Sequence, residues 1–422
     1  MKTVINPPKD QWSQLCERPQ LQSDVLEEKV KSILADVKNR GDKAIRELTL
    51  KFDQIVLTEV QASSTEVSEA TAQVPETLKN AIRTAYNNIE KFHEAQRREV
   101  TKIETTSGVL CWRKATPINK VGIYIPGGSA PLFSTVLMLG VPAKLAGCQE
   151  VILCTPPDQN GKINPSILFA AELCGIKKIF KVGGAQAIAA LAYGTESIPK
   201  VYKIFGPGNQ YVTKAKQLIS LEGVAIDMPA GPSEVLVLAD ENADPSFVAA
   251  DLISQAEHGA DSQVVVVTNQ KAVVENVLKE IEKQLIDLPR KEIALKALVN
   301  SLAIILNQDE AVDFINQYAP EHLIINTNNY EELVEKITNA GSIFLGGYTP
   351  ESAGDYASGT NHTLPTNGFA KSYGGVSLEG FLKYITVQKI SKEGIKNLGP
   401  TIEAMAEAEQ LIGHANAVRV RY

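Results

Sequence analysis

No run of eighteen apolar residues occurs in the 422-residue chain, so a membrane-spanning helix of ordinary length is not expected. Positive charge is not in excess either: 42 Lys and Arg stand against 49 Asp and Glu, a formal net charge of -7. That balance argues against nucleic acid or an anionic membrane surface as the main partner and favours a small dissolved substrate. The opening segment MKTVINPPKD lacks a cationic stretch followed by an apolar one, so no secretory signal is read there and a cytoplasmic location is expected. The cysteines Cys16, Cys111, Cys148, Cys154 and Cys174 form no CxxC pair, and an odd, scattered set suits reduced thiols serving as small hydrophobes. GxGxxG is missing too, so spacing alone names no dinucleotide. Histidine is scarce: His93, His258, His322, His362 and His414 are all there are, which makes each informative.

What the chain does have is apolar bulk, 44% of its residues, more than one ordinary core takes up at this length. Val25, Leu26, Val30, Ile33, Leu34 and Val37 share one helical face, with Ser23 or Asp24 to cap the helix and Gly41 to stop it. Leu78, Ile82, Ala85, Tyr86, Ile89 and Phe92 repeat that spacing after Pro75. His93 closes this second helix, where a positive side chain suits the helix dipole. From residue 120 the texture changes to short β-rich runs between helical stretches. Strands are predicted at 120–125, 150–154, 177–182 and 201–205, and again at 234–239, 263–267, 302–306, 323–325 and 343–345. Such alternation implies parallel sheets covered on both faces, hence two α/β units joined near Tyr124 and again near Ser233. Residues 346–375, with seven glycines, are expected to form a functional loop, and the tail recovers a helix from Thr401 to about Leu411.

Four glycine-rich turns follow in succession at predicted strand ends: Pro126-Gly127-Gly128, Gly183-Gly184, Gly206-Pro207-Gly208-Asn209 and Ala230-Gly231-Pro232-Ser233. Each taken singly is an ordinary βα turn. Together they mark the edge of an open α/β sheet where a ligand binds, glycine letting backbone approach phosphate. Gln255 and His258, three apart at a helix end, can offer an oxygen and an imidazole nitrogen to one metal ion. Two ligands do not make a site; Asp355 and His414 are the candidates to complete it, and spacing leaves the metal unsettled. Glu321 and His322 enter a predicted strand, where a carboxylate and an imidazole can both reach a cleft as acid/base groups. A solvated surface pair is the plainer reading of those two residues.

The segments VGIYIPGGSAPLFSTVLML (121–139), GGAQAIAALAYGT (183–195), IFGPGN (204–209), DMPAGPSEVLV (227–237), SQAEHG (254–259), PEHL (320–323), ESAGDYASGTNH (351–362) and EAEQLIGHANAV (407–418) resemble those of the histidinol dehydrogenases, in order, from about residue 20 to the end. The resemblance implies an intertwined homodimer whose subunits each hold two incomplete Rossmann-like α/β domains with parallel sheets, plus small terminal elements. It divides the chain into an N-terminal element (1–22), a discontinuous first domain (23–123 with 234–375), an inserted nucleotide-binding domain (124–233) and a helical tail reaching the partner (376–422). It also implies one Zn²⁺ per subunit on Gln255, His258, Asp355 and His414, the last from the neighbouring subunit, and an acid/base pair of Glu321 and His322. NAD contacts are implied at Tyr124, Gln186 and Asn209. Substrate contacts are implied at Ser233, Glu409, His362, His322 and the zinc ligands. The implied reaction is oxidation of L-histidinol to L-histidine with two NAD⁺. The alternatives are a zinc- and NAD-dependent dehydrogenase of the same superfamily acting on another small alcohol, a zinc hydrolase using Glu321, and a non-catalytic binding protein. The tail departs from the family at Gly413, before His414, where a stiffer residue is expected.

Overall fold

The computed structural model describes the whole chain except residues 20–22, 128–129 and 230. The side chains of Ser23 and Asp24, the expected cap, are not described, and Gly128 and Ala230 of the glycine-rich turns lie outside the described residues. Five parallel strands, Lys120–Tyr124 (β4), Glu150–Thr155 (β5), Lys178–Lys181 (β6), Lys203–Phe205 (β7) and Ala225–Ile226 (β8), are ordered β6-β5-β4-β7-β8. Six parallel strands form a second sheet: Lys2–Ile5 (β1), Glu234–Ala239 (β9), Gln263–Thr268 (β10), Leu302–Ile305 (β11), His322–Asn326 (β12) and Ser342–Leu345 (β13), ordered β1-β11-β10-β9-β12-β13. Leaving out β1, both sheets follow one winding order, with the first-laid strand in the middle and a change of direction beside it. Ile103–Thr106 (β2), Val109–Pro117 (β3) and Leu382–Ile390 (β14) make a small antiparallel sheet, ordered β14-β3-β2.

The alternation of side chains along β9 shows why the strands read as continuous apolar runs. Val235 and Val237 join one core with the helices Pro245–Ala256 and Lys271–Gln284, while Leu236 and Leu238 join another with Gln308–Tyr318 and Trp12. The nine strands expected from the sequence are present, 234–239 with both ends as expected and the others with one end or both shifted by one or two residues, as boundaries set by hydrogen bonding commonly are. Strands β1, β2, β3, β8 and β14 were not expected: they are short, at an edge, or half-exposed, so they lack the apolar run that betrays a buried strand.

The packing differs from the expected division of the chain. Helices Ser23–Asp53 and Glu76–Glu94 cover the five-stranded sheet, with Leu26, Val30 and Leu34 in one core beside Tyr124 and Ile82 and Ile89 in another beside Ile123. Residues assigned to the first domain therefore pack on the second. Conversely β1, from the supposed separate terminal element, extends the six-stranded sheet. Gly41 does stop the first helix, with φ 51 and ψ -130, but a helix restarts at once and runs to Asp53. His93 does stand in the last turn of its helix, but fully buried: its ring contacts the Ile89 carbonyl (2.9 Å) and Asn361 Nδ2 (3.3 Å). The glycine-rich stretch after β13 contains a short helix, Glu351–Tyr356, and the tail forms two helices, Lys392–Ala408 and Ile412–Arg419. All five cysteines are free thiols, and no helix among the described residues is long and apolar enough to cross a membrane.

Gly206, just past β7, adopts φ 128, and a Cβ there would lie 2.1 Å from the Tyr124 carbonyl oxygen. Its N–H donates to Asp227 Oδ2 (2.8 Å), and its carbonyl accepts from Lys216 Nζ (2.9 Å). Gly206→Ala should therefore lower stability by about 3 kcal/mol or more, from strain together with the clash. A urea midpoint equal to that of the parent would show the turn to be more yielding than this geometry implies.

Candidate functional site

Two clusters of candidate residues lie on different sheets. Tyr124, Gln186 and Asn209 all line one cavity of about 1460 Å³ at the carboxyl ends of β4, β5 and β7, the usual ligand edge of an open α/β sheet. Gly184 N–H, opening the helix Gly184–Tyr193, donates to the Tyr124 hydroxyl (3.0 Å). Burial pushes the Tyr124 phenol up to about 12, so it stays protonated at neutral pH. Asn209 has a structural task as well: its Oδ1 caps the helix Gln210–Ser220, accepting from the N–H groups of Tyr211 and Val212. Asp53 lines the same cavity with one buried, unpaired oxygen. Sequence pattern had no means of finding it, since it sits at the far end of an ordinary amphipathic helix.

The acid/base candidates occupy the opposite edge of the other sheet, at the amino ends of β9 and β12. These strands are parallel, with His322 level with Val235, so the peptide groups of Glu234 lie beside the side chains that enter β12. Glu234 N–H donates to Glu321 Oε2 (2.8 Å). The Glu234 carbonyl lies 3.1 Å from His322 Nδ1 and accepts from Gln255 Nε2 (3.2 Å). A carbonyl only accepts, so His322 Nδ1 carries a proton and the ring presents Nε2 toward Asp355 Oδ1, 3.4 Å away. Segments from the five-stranded sheet reach this edge: Gln210 Nε2 lies 3.5 Å from Asp261 Oδ2, and Thr135 Oγ1 lies 3.1 Å from His362 Nε2.

Gln255 arrives on the last turn of the helix Pro245–Ala256, whose start is fixed by Asp244 accepting from Ser246 N–H and by proline at the first position. His258 lies just beyond that helix. Asp355 and Glu351 are four apart on the helix Glu351–Tyr356, hence on one face. Glu351 Oε2 lies 3.3 Å from Ser254 Oγ. Ligand atoms of His322, Glu351 and Asp355 all fall within 4.8 Å of one another. Glu351 was not anticipated; its four-residue spacing from Asp355 was the available signal.

Electrostatics separate these groups sharply. Burial, reinforced by the nearby carboxylates of Asp355, Glu321 and Asp251, raises Glu351 well above the usual carboxylate range. Glu321 is raised too, chiefly by burial, with His322 opposing. Burial would raise Asp355, but its contact with His322 outweighs that and holds it low. Burial would depress His322, yet Glu321, Glu351 and Asp355 together lift it well above its ordinary value. Burial lowers His258 and His362 against the pull of Asp355, which leaves both neutral and able to ligate. His362 Nδ1 lies 2.9 Å from the Asp355 carbonyl.

The donor set fits a divalent metal ion. Gln255 Oε1 and Glu351 Oε1 are buried without a hydrogen-bond partner, an arrangement that costs stability unless something else satisfies them. Amide and carboxylate oxygens beside neutral imidazole suit a borderline cation such as Zn²⁺. Ser233 immediately precedes β9 and is half-buried. Glu409 and His414 lie exposed at the tail helices, and among the described residues no hydrogen bond or ion pair joins them to Gln255, His258 or Asp355 within one chain.

Known proteins resemble this chain in sequence and in fold. The histidinol dehydrogenase family model matches residues 16–422. The chain is 59% identical over 422 residues to the histidinol dehydrogenase of Bacteroides thetaiotaomicron, covering 100% of this chain and 99% of that one. It is 53% identical over 417 residues to the histidinol dehydrogenase of Escherichia coli K12, covering 98% and 95%. The crystal structure of histidinol dehydrogenase from Elizabethkingia anophelis superposes with a TM-score of 0.97 at 57% identity, covering 100% of this chain and 98% of that one. With the same fold over its full length and this degree of identity, the chain belongs to the histidinol dehydrogenase family.

Proposed function

We propose that the chain oxidises L-histidinol through the aldehyde to L-histidine, using two NAD⁺, as the last steps of histidine biosynthesis in the cytoplasm. The observation that carries this reading is the junction at the amino ends of β9 and β12, where Glu321 meets the N–H of Glu234 and His322 its carbonyl, beside Gln255 and Asp355. Family membership supplies the substrate.

Gln255, His258 and Asp355, with His414 of a neighbouring subunit, are the proposed holders of one Zn²⁺, which when bound gives the substrate's nitrogens a fixed seat and offsets the carboxylate charge around His322. Tyr124, Gln186 and Asn209 are the proposed contacts to NAD, and Ser233, Glu409 and His362 those to histidinol. His322 takes the hydroxyl proton as hydride leaves the carbinol carbon. Glu321, held beside it by the Glu234 N–H, takes a proton from the water that adds to the aldehyde, and a second hydride then leaves the hydrate. Apolar groups exposed on the tail, among them Met405, Ile412 and Val420, favour a homodimer in which each active site draws on both subunits.

L-histidinol should yield two NADH per molecule, other small alcohols much less, and chelation should abolish turnover until zinc is restored. Retention of full activity after verified metal removal would defeat the metal part of the scheme, and turnover without NAD would point to hydrolysis. Glu321→Gln and His322→Asn should each cut kcat by about 10²–10⁴-fold, the range of general acid–base catalysis, with folding intact by circular dichroism. Mixing inactive His414→Asn with inactive Glu321→Gln subunits should restore about a quarter of parental activity, because half the dimers are mixed and each then keeps one whole site. No recovery on mixing would place His414 outside a shared site.

A further inference from the structure

Arg18 is buried against the side chain of Glu234, the residue whose backbone groups contact the acid/base pair. Its Nε lies 3.1 Å from Glu234 Oε1 and its Nη2 lies 2.8 Å from Oε2, a two-point grip with side-chain exposures of 4% and 1%. The guanidinium is itself held in place. Nη1 donates to the Cys16 carbonyl (2.6 Å), Nη2 to the Tyr318 carbonyl (2.7 Å), and the group stacks 3.6 Å from the centre of the Tyr318 ring. Tyr318 in turn donates its hydroxyl proton to Gln263 Oε1 (2.7 Å). Asn367 N–H, from the loop after the Asp355 helix, donates to Glu234 Oε1.

Every polar part of Glu234 is thus occupied. Its carboxylate faces Arg18 and Asn367, its N–H faces Glu321, and its carbonyl faces His322 and Gln255. Fixing the carboxylate at two points fixes the side chain and, through it, the plane of the peptide groups on either side. A buried ion pair of this kind is weak support for stability, since an apolar pair of similar size commonly serves as well. Its two-point geometry does something an apolar pair does not: it sets an orientation.

We propose that Arg18 is a positioning residue for the acid/base pair, acting through Glu234, whose peptide groups aim Glu321 and His322. The inference rests on the reading of Glu321 and His322 as the acid and base. It brings an N-terminal residue, far away in sequence, into the control of the reaction without any contact to substrate or cofactor.

Steady-state kinetics of Arg18→Met, Arg18→Lys, Glu234→Gln and the double variant Arg18→Met/Glu234→Met test it, with thermal midpoints measured alongside. Arg18→Met and Glu234→Gln should lower kcat by about 10- to 100-fold, as small misplacements of catalytic groups do, with KM for NAD within about twofold. Arg18→Lys keeps the charge but not the planar grip and should recover part of that loss. The double variant should regain the parental thermal midpoint while kcat stays low. A folded double variant with parental kcat would overturn the proposal, as would a folded Arg18→Met of unchanged kcat or losses confined to KM for NAD. Should Arg18→Met not fold, Arg18→Lys and Glu234→Gln give the same reading. Failure of the parent protein to oxidise histidinol would instead count against the proposed function.

Discussion

The parallel pairing of β9 with β12 is the constraint on which the rest of the site depends. Parallel ladders carry no tight turn between neighbours, so the two strands come from stretches some distance apart in sequence and are brought level only by the buried runs that follow. Because His322 stands level with Val235, and Glu321 therefore with Glu234, the N–H of one residue serves Glu321 and its carbonyl serves His322. A slip of one residue in that register would exchange the faces of β12 and send His322 to the other side of the sheet. The apolar sequences Glu234–Ala239 and His322–Asn326, fully buried, are what make such a slip costly.

On that frame sits an unusual concentration of acid. Glu321, Glu351 and Asp355 are buried around a single imidazole, and their mutual repulsion is relieved unequally: Glu351 is driven to hold its proton, whereas Asp355 stays ionised against His322. Like charges packed this closely are kept only where positive charge is supplied nearby. The two buried unpaired oxygens of Gln255 and Glu351 tell the same story from the hydrogen-bond side. The large cavity at the carboxyl edge of the five-stranded sheet is built differently, from backbone turns with charged side chains such as Lys29, Lys51 and Asp53 spread around its wall. One half of the molecule concentrates charge and the other leaves room.

Much of this was readable beforehand, for identifiable reasons. The nine central strands announced themselves by apolar runs, and Gln255, His258, Glu321, His322 and Asp355 by scarcity and by the motifs around them. Edge strands such as β1 and β14 did not, because a strand exposed on one side needs no apolar run. The division of the chain was misjudged because linear order says nothing about which sheet a helix covers: Leu26 and Ile82 could have faced either one. Glu351 and Glu234 stayed hidden since a lone glutamate at the start of a helix or strand is commonplace, and only the fold reveals that these two are buried. Arg18 was hidden for the same reason.

The pairing of β1 with β11, and of β14 with β3, has a consequence for how the chain is assembled during synthesis. Strands β4 to β8 occupy one continuous stretch, so the five-stranded sheet can close before the remainder of the chain has been made, domains generally forming as units from the amino end. Lys2–Ile5 must wait for Leu302–Ile305, and Val109–Pro117 for Leu382–Ile390. Such distant partners form slowly, and until they arrive both early strands present open edges to whatever lies nearby. The nascent chain thus carries two unsealed seams through most of its translation.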